Sequence, residues 1–530
     1  MKKNDNPDGI KTSGDTLSVW SATTPSIKYE PLTKHLKTDV VIIGGGIAGV
    51  SVAYNLAIQG KKVVVIEDGY IASGETGRTT AHLVNVLDDR YYDLERIHGD
   101  EGASLAAESH TQAIDFIERT IATENIDCDF TRLNGYLFLH PSDKKESLEK
   151  EYLAARKAGI KVENLNHIPG ITSESGPCLS FPGQGQFHIL KYMKGLCEAI
   201  IKHKGEIYTG THARQIDSTG IVTDQGYKVT ADHVVVATNT PVQDQFAIHT
   251  KQTAYRTYVI GAKIKKGGTK ALWWDTGDFD VDKDVAPYHY VRLQEMDEAH
   301  NILIAGGEDH VTGKGETNEE IHRYAALESW TRARFPIEEI IYRWSGQVME
   351  PADSLAFIGR NPMDKDNVYI VTGDSGNGMT HGTIAGILIT DLILGVENSW
   401  EKLYSPSRFS FKSTGHYIKN NMSVIAEYFK DYPMHADVSD FSEIKTTEGK
   451  IIEIKGEKFG AYRDEENHLH VVSAICPHMQ CIVKWNGGEK SWDCPCHGSR
   501  FTYDGKVLNG PANGDLPYYL SIKQPKIIQS

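Results

Sequence analysis

At 530 residues the chain exceeds one typical hydrophobic core, so two or three domains are expected. Its 40% hydrophobic and 24% charged residues suit an ordinary soluble globular protein. A net charge of −15 argues against a phosphate-tracking nucleic-acid surface and against an anionic membrane partner. The start, Met1-Lys2-Lys3-Asn4-Asp5-Asn6, lacks the apolar core of a signal peptide, and the longest apolar run, Ile384 to Leu394, is too short to span a bilayer. The expected location is the cytoplasm, with no membrane span and no nucleic-acid partner.

In chain order, residues 1–38 are polar and Pro-punctuated; they read as an arm lying on the next domain, with Trp20 and Tyr29 as its anchors. Asp39 to Ile43 then reads as a buried parallel strand entering a glycine turn, with Gly44, Gly46 and Gly49 at G-x-G-x-x-G spacing. Such a turn lets backbone approach a pyrophosphate, and the helix behind it, Ala48 to Gln59, aims its N–H groups there. The next strand, Val63 to Ile66, ends in Glu67, whose carboxylate can accept bonds from a ribose diol. The loop after it holds Gly74, Thr76, Gly77, Arg78, Thr79, Thr80 and His82; it is dense in hydroxyls and N–H groups and suits the far half of a flavin dinucleotide.

Helical periodicity runs over Leu105 to Ile121, Lys144 to Ala158 and Tyr192 to Lys202, and Gly135 to Leu139 is strand-like. Gly205 to Ala213 reads as one strand whose end, at Ala213, can touch an adenine through its backbone; Ala231 to Thr238 is another strand. Residues 250 to 345 alternate like an antiparallel sheet, which supplies the pocket candidates Tyr255, Arg256, Tyr258, Tyr288, His289 and Arg292 or simply core. Val368 to Thr372 then enters a second glycine loop with Gly373, Gly376, Gly378, Met379 and Thr380. The helix after it would present its N-terminus to the negative end of an isoalloxazine.

Of seven cysteines, Cys128, Cys178 and Cys197 are scattered and read as buried small side chains. The other four crowd together. Cys476-Pro477-His478 and Cys494-Pro495-Cys496-His497 form C-x-H and C-x-x-H, which places thiolates on one iron and imidazoles on the other of a Rieske [2Fe–2S] cluster. Two Cys and two His also suit tetrahedral zinc, the competing reading. Cys476, His478, Cys494 and His497 are the expected ligands.

These motifs together resemble a known combination. Gly44–Gly49, Glu67, Gly74–His82, Ala231–Thr238 and Gly373–Thr380 are similar to the D-amino-acid oxidase superfamily of flavoproteins, and residues from about 435 resemble the Rieske domain of cytochrome bc complexes. The resemblance implies a Rossmann-type α/β FAD-binding domain with an antiparallel-sheet substrate domain, plus a C-terminal all-β Rieske domain. The boundaries it suggests are an arm over 1–38, an oxidoreductase over 39–398, a linker over 399–434 and a Rieske domain over 435–530. Within 39–398 the nucleotide part covers about 39–90, 192–245 and 345–398, and the substrate part about 91–191 and 246–344. It also implies a disulfide between Cys481 and Cys496 that pins the ligand loops. Gly346-Gln347-Val348-Met349 stands where amino-acid-binding relatives carry an arginine. His82 lies one position out of register with a flavin-attaching histidine, so FAD is expected to be noncovalent. Ser499 is retained beside the cluster, and Phe501 replaces a cluster-bonding tyrosine.

The implied function is an FAD-dependent dehydrogenase of an amine or amino-acid-like small molecule, passing electrons through the cluster to an unidentified acceptor. An electron-transfer flavoprotein serving a partner oxygenase and a non-catalytic redox sensor are the alternatives.

Overall fold

A computed structural model describes residues 13–171, 173, 176–242, 248–277, 288–314, 319–362, 364–409 and 436–523. The first sheet has eight strands, with the run Phe357–Arg360, Val368–Thr372, Lys228–Val236, Leu36–Ile43, Val63–Ile66 and Glu206–Tyr208 side by side. All neighbours in this run are parallel except the Phe357–Arg360 edge. The central strand starts at Leu36, three residues before the expected start, and delivers the glycine turn to its carboxyl end, where doubly wound sheets bind ligands.

Helices Ile47–Ile58 and Gly378–Leu394 lie together on this sheet and are buried nearly all round, which is why their sequences are apolar on every face. Their axes approach closely: a Cβ on Gly386 would stand 2.8 Å from Ser51 Cβ and Asn55 Nδ2. Near their starts, a Cβ on Gly382 would stand 2.8 Å from Ile47 Cγ2, so both helices begin at the same edge of the sheet.

The second sheet has nine strands, ordered Ile340–Pro351, Gln252–Lys265, His300–Val311, His289–Glu295, Leu272–Asp275, Thr131–Phe138, Cys178–Gln186 and His82–Leu83, with Glu163–Leu165 beside Cys178–Gln186. It is antiparallel as expected, apart from the parallel pairing of Leu272–Asp275 with Thr131–Phe138. The helix expected over 105–121 belongs to Tyr91–Glu124, which is broken into two helices by a kink at Gly99 (φ 76°), and the one expected over 144–158 is Glu146–Lys157. The stretch 205–213 is not one strand. It breaks after Tyr208, because the Thr209 and Thr211 hydroxyls accept the N–H groups of Tyr29 and Leu32 and Gly210 turns at φ 58°.

Two four-stranded antiparallel sheets complete the fold. One joins Gly449–Ile454, Glu457–Arg463, His468–Ser473 and Tyr518–Lys523; the other joins Lys484–Asn486, Ser491–Asp493, Arg500–Thr502 and Val507–Asn509. Of the expected connector over 399–434, the helix Glu401–Tyr404 is described, and residues 410–434 lie outside the described residues. Among the described residues no helix is long and apolar enough to cross a membrane.

The arm does more than lie on the following domain. Trp20 is fully buried, donates from Nε1 to Thr79 O at 2.6 Å and carries Arg292 over its ring. Further upstream, Ser13 O accepts from Arg500 and Asp15 N donates to Glu489 O, so the arm is threaded between the flanking units. Trp20→Ala removes the anchor and leaves a cavity; it should cost about 3–5 kcal/mol of stability, read as a lowered denaturant midpoint.

Candidate functional site: a flavin cavity walled by a cluster domain

A cavity of about 480 Å³ opens where the two helices begin. Neither N-cap residue, Gly46 or Asn377, makes a side-chain capping bond, though Thr76 Oγ1 accepts from Ile47 N at 3.0 Å, and the N-terminal partial positive charge of both helices faces the cavity. Gly44 sits at φ 108°, and a Cβ there would stand 2.3 Å from Ala237 O, so only glycine lets the turn lie this close to the next strand. Gly49 and Gly77 do not line the cavity. They are glycines for packing, since added Cβ atoms would meet Gly44 O at 2.0 Å and Ala72 O at 2.4 Å.

Gly44, Gly46, Glu67, Gly74, Thr76 and Arg78 line the cavity, as do Thr79, Thr80, His82 and Ala213. From the second glycine loop come Gly373, Gly376, Gly378, Met379 and Thr380. Glu67 accepts from Gly45 N at 2.6 Å and Gly69 N at 2.7 Å. Burial pushes its carboxyl up to about 7 against the opposing pull of those two N–H groups. Each of its oxygens retains accepting capacity for a ribose diol. Gly376, at φ 70°, is pressed onto Asp88: a Cβ there would stand 2.1 Å from Asp88 Oδ2. Tyr288 donates to the same carboxylate at 3.0 Å. His82 contacts Thr80 Oγ1 at 3.0 Å through Nδ1 and Val291 O at 3.3 Å through Nε2. Burial, aided by Arg292, pushes it down to about 3, so the ring is neutral and both nitrogens are engaged.

Strand alternation sorts the pocket candidates. Tyr288 lines the cavity, and so does Tyr290, which sequence reasoning missed. On Gln252–Lys265 the cavity face carries Thr257 and Val259, so Arg256 and Tyr258 point elsewhere: Arg256 Nη1 donates to Ser345 Oγ, and Tyr258 packs on Tyr324. Tyr255 is not among the lining residues. His289 lies between Asp275 (2.9 Å) and Glu308 (3.1 Å); burial lowers it, but the two carboxylates prevail and lift it to about 9. Arg292 is spent on the carbonyls of Thr80, Ala81 and Phe187.

At the other centre Cys476 and Cys494 are buried and adjacent, while Cys481 and Cys496 form a disulfide. The two thiols share a hydrogen bond that holds Cys476 down at about 7 and Cys494 well up. Cys476 also receives the N–H groups of His478 and Met479 and the Ser499 hydroxyl; Cys494 receives those of Cys496 and His497. The His478 and His497 rings lie 5.0 Å apart. His497 is pushed down to about 3 by burial, then by His478 and His249, and its Nδ1 is buried with no hydrogen-bond partner. A neutral, orphaned imidazole nitrogen beside two thiols is a donor set fit for metal, and the disulfide removes the neighbouring sulfurs from it.

The histidine side of this centre faces the flavin unit. His478 meets His249, which is buried, at 5.2 Å between ring centroids, and Gln347 Nε2 donates to Gly498 O at 3.0 Å. Arg78 and Glu489 form an ion pair at 3.0 Å across the junction. No local pattern announces these contacts, because the partners stand as far as 411 residues apart.

Comparison with known proteins agrees with this geometry. Residues 39–392 match the FAD dependent oxidoreductase (DAO) family, and residues 435–520 match the Rieske [2Fe-2S] domain. A Bacillus subtilis (strain 168) protein named for a Rieske 2Fe-2S iron-sulfur centre, YhfW, is 31% identical over 93% of this chain and 96% of its own. Gamma-glutamylputrescine oxidoreductase of Escherichia coli (strain K12) is 28% identical over 69% of this chain and 87% of its own. The crystal structure of L-proline dehydrogenase from P. horikoshii shares the fold, with a TM-score of 0.55 and 20% identity over 71% of this chain and 98% of its own. The chain belongs to the FAD dependent oxidoreductase family and carries a Rieske domain; it binds FAD and a [2Fe–2S] cluster.

Ser499 bonds Cys476 through its hydroxyl, and such a bond to a ligand sulfur would stabilise the sulfur's more negative state. Ser499→Ala should therefore lower the cluster's reduction potential with iron content unchanged, as read by a redox titration followed by electron resonance.

Proposed function

We propose that the protein oxidises a C–N bond of a cationic amine and passes the electrons to the Rieske centre docked against its flavin cavity. The single observation that carries the substrate class is the charge of the cavity wall. Among the described lining residues the one Lys or Arg is Arg78, already paired with Glu489, whereas Asp88 and Asp374 beside the second glycine loop are acidic, and Glu67, Asp68 and Glu75 belong to the ribose strand and the loop after it. An α-carboxylate has no free cation to meet there. An amino group has Asp88, with Tyr288, Tyr290 and Trp274 as an apolar and π-rich surround.

FAD, when bound, supplies the two-electron oxidation of the C–N bond, and the cluster supplies one-electron transfer. The chain's residues bind and orient. Gly44, Gly46, Thr76 and the helix start at Ile47 hold the pyrophosphate, Glu67 the ribose and Ala213 the adenine. Gly376 to Thr380 face the pyrimidine edge of the flavin with a helix N-terminus, and Asp88 fixes the substrate amine beside that loop. Cys476, Cys494, His478 and His497 hold the iron. FAD is held without a covalent bond, a reading supported by the engagement of both His82 nitrogens; acid precipitation should leave all flavin in the supernatant, whereas a yellow pellet would contradict it. The cytoplasm is the compartment that goes with this reading.

Asp88 supplies the test. Burial pushes its carboxyl up to about 6 against the opposing effects of Arg90 and Tyr288; Asp309, Glu350 and Asp374 lie in the same field. Its pKa is raised, so the group is charged above about 6 and neutral below it. kcat/KM for the best amine of an anaerobic flavin-bleaching panel should fall as pH drops through 6. Asp88→Asn should flatten that limb and raise KM about tenfold or more, equivalent to ~1.4 kcal/mol. Bleaching by α-amino acids in preference to amines, with Asp88→Asn unaffected, would refute the assignment.

A further inference from the structure

The flavin cavity is not closed by the flavin unit alone. Val507, Leu508, Asn509, Gly510, Ala512 and Asn513 form one of its walls, and the oxidoreductase family match ends at residue 392. We propose that this Rieske-domain loop is part of the FAD-binding site, and that both cofactors rest on its two faces. The inference goes beyond the amine-oxidation reading and does not depend on it.

On the flavin face, Asn509 Nδ2 donates to Glu75 Oε1 at 3.0 Å, and the other oxygen of Glu75 accepts from Gln347 N at 2.7 Å. Glu75 opens the short helix Glu75–Arg78 in the loop that follows the ribose strand, so Asn509 grips the segment that wraps the dinucleotide. Gly510 is seated just as closely: a Cβ there would stand 2.7 Å from Thr240 Oγ1, in the chain leaving the strand Lys228–Val236. The loop thus reaches from Glu75 on one side of the cavity to Thr240, next to the lining residue Asn239, on the other.

On the cluster face, Ala512 N donates to Ser499 Oγ at 3.0 Å, and the Ser499 hydroxyl in turn bonds Cys476. Ala512 and Leu516 share one apolar core with Cys476, Cys481, Cys494 and Cys496. The path from the flavin cavity to a cluster sulfur is therefore Glu75, Asn509, Ala512, Ser499, Cys476. The loop is kept against the cavity by the rest of the junction, above all Arg78–Glu489 and Gln347–Gly498. FAD seated in the cavity lies behind this wall, and its departure requires the wall to move.

Two measurements test the proposal, and neither uses substrate. FAD release from the holoprotein, followed by the rise of free-flavin fluorescence after dilution, should be at least tenfold faster in Asn509→Ala, with the cluster's electron resonance unchanged. In the wild-type protein, reloading FAD into flavin-free protein should slow amide hydrogen exchange across 507–513. A release rate equal to wild type in Asn509→Ala overturns the proposal, and so does exchange across 507–513 that ignores FAD. Should the variant fail to fold, the exchange measurement decides alone. A protein inert to every amine would leave both expectations standing, so failure of the substrate assignment is distinguishable from failure of this one.

Discussion

Arg78 and Glu489 meet at 3.0 Å with only 8% and 2% of their side chains exposed. Arg78 belongs to the loop that lines the flavin cavity, and Glu489 to the turn before Ser491–Asp493 in the cluster domain. Burial by itself would raise the Glu489 carboxyl; Arg78, Arg256 and Arg500 more than offset that and hold it below its ordinary value. Removing one partner of such a pair strands a charge and costs about 3–5 kcal/mol. Ser345 and the arm residue Thr16 donate hydroxyl bonds to the same carboxylate, and Arg500 is in turn neutralised by Asp493. The junction is thus buried, polar and nearly charge-balanced. Such a surface is poorly suited to solvent exposure and well suited to a fixed dock.

Much of the functional geometry follows from that dock. It brings the His478 edge of the cluster site onto His249 and sets Gly498, the neighbour of His497, on Gln347, which also lines the flavin cavity. Gln347 occupies the stretch where amino-acid-binding relatives are expected to carry an arginine. Here Gln347 serves the domain contact through Gly498, and among the described lining residues the one Lys or Arg is Arg78.

The cofactor motifs were legible in the sequence because their chemistry demands local patterns. A backbone turn at Gly44 admits only glycine, and C-x-H with C-x-x-H encodes ligand loops in short windows. The strand–helix–strand unit and both glycine loops fall where periodicity places them, within a few residues. The sheet wall of the cavity was poorly legible: Tyr288 and Tyr290 reach the cavity while His289 and Arg292 do not, a matter of strand phase and of which carbonyls claim the arginine. The junction was not legible at all. Glu75 and Asn509 are 434 residues apart, and neither sits in a pattern that foretells the other. The early break of the strand at Tyr208 has a similar origin, since it depends on hydroxyl contacts to the arm rather than on propensity.

Rapid anaerobic mixing of the oxidised holoprotein with the amine that best bleaches its flavin, with absorbance and freeze-quenched electron resonance read in parallel, tests the proposed relay most directly. A Rieske centre docked on the flavin cavity should become reduced in step with flavin bleaching, with little peroxide formed when oxygen is later admitted. A bleached flavin beside a cluster that stays oxidised, followed by stoichiometric peroxide, would contradict it.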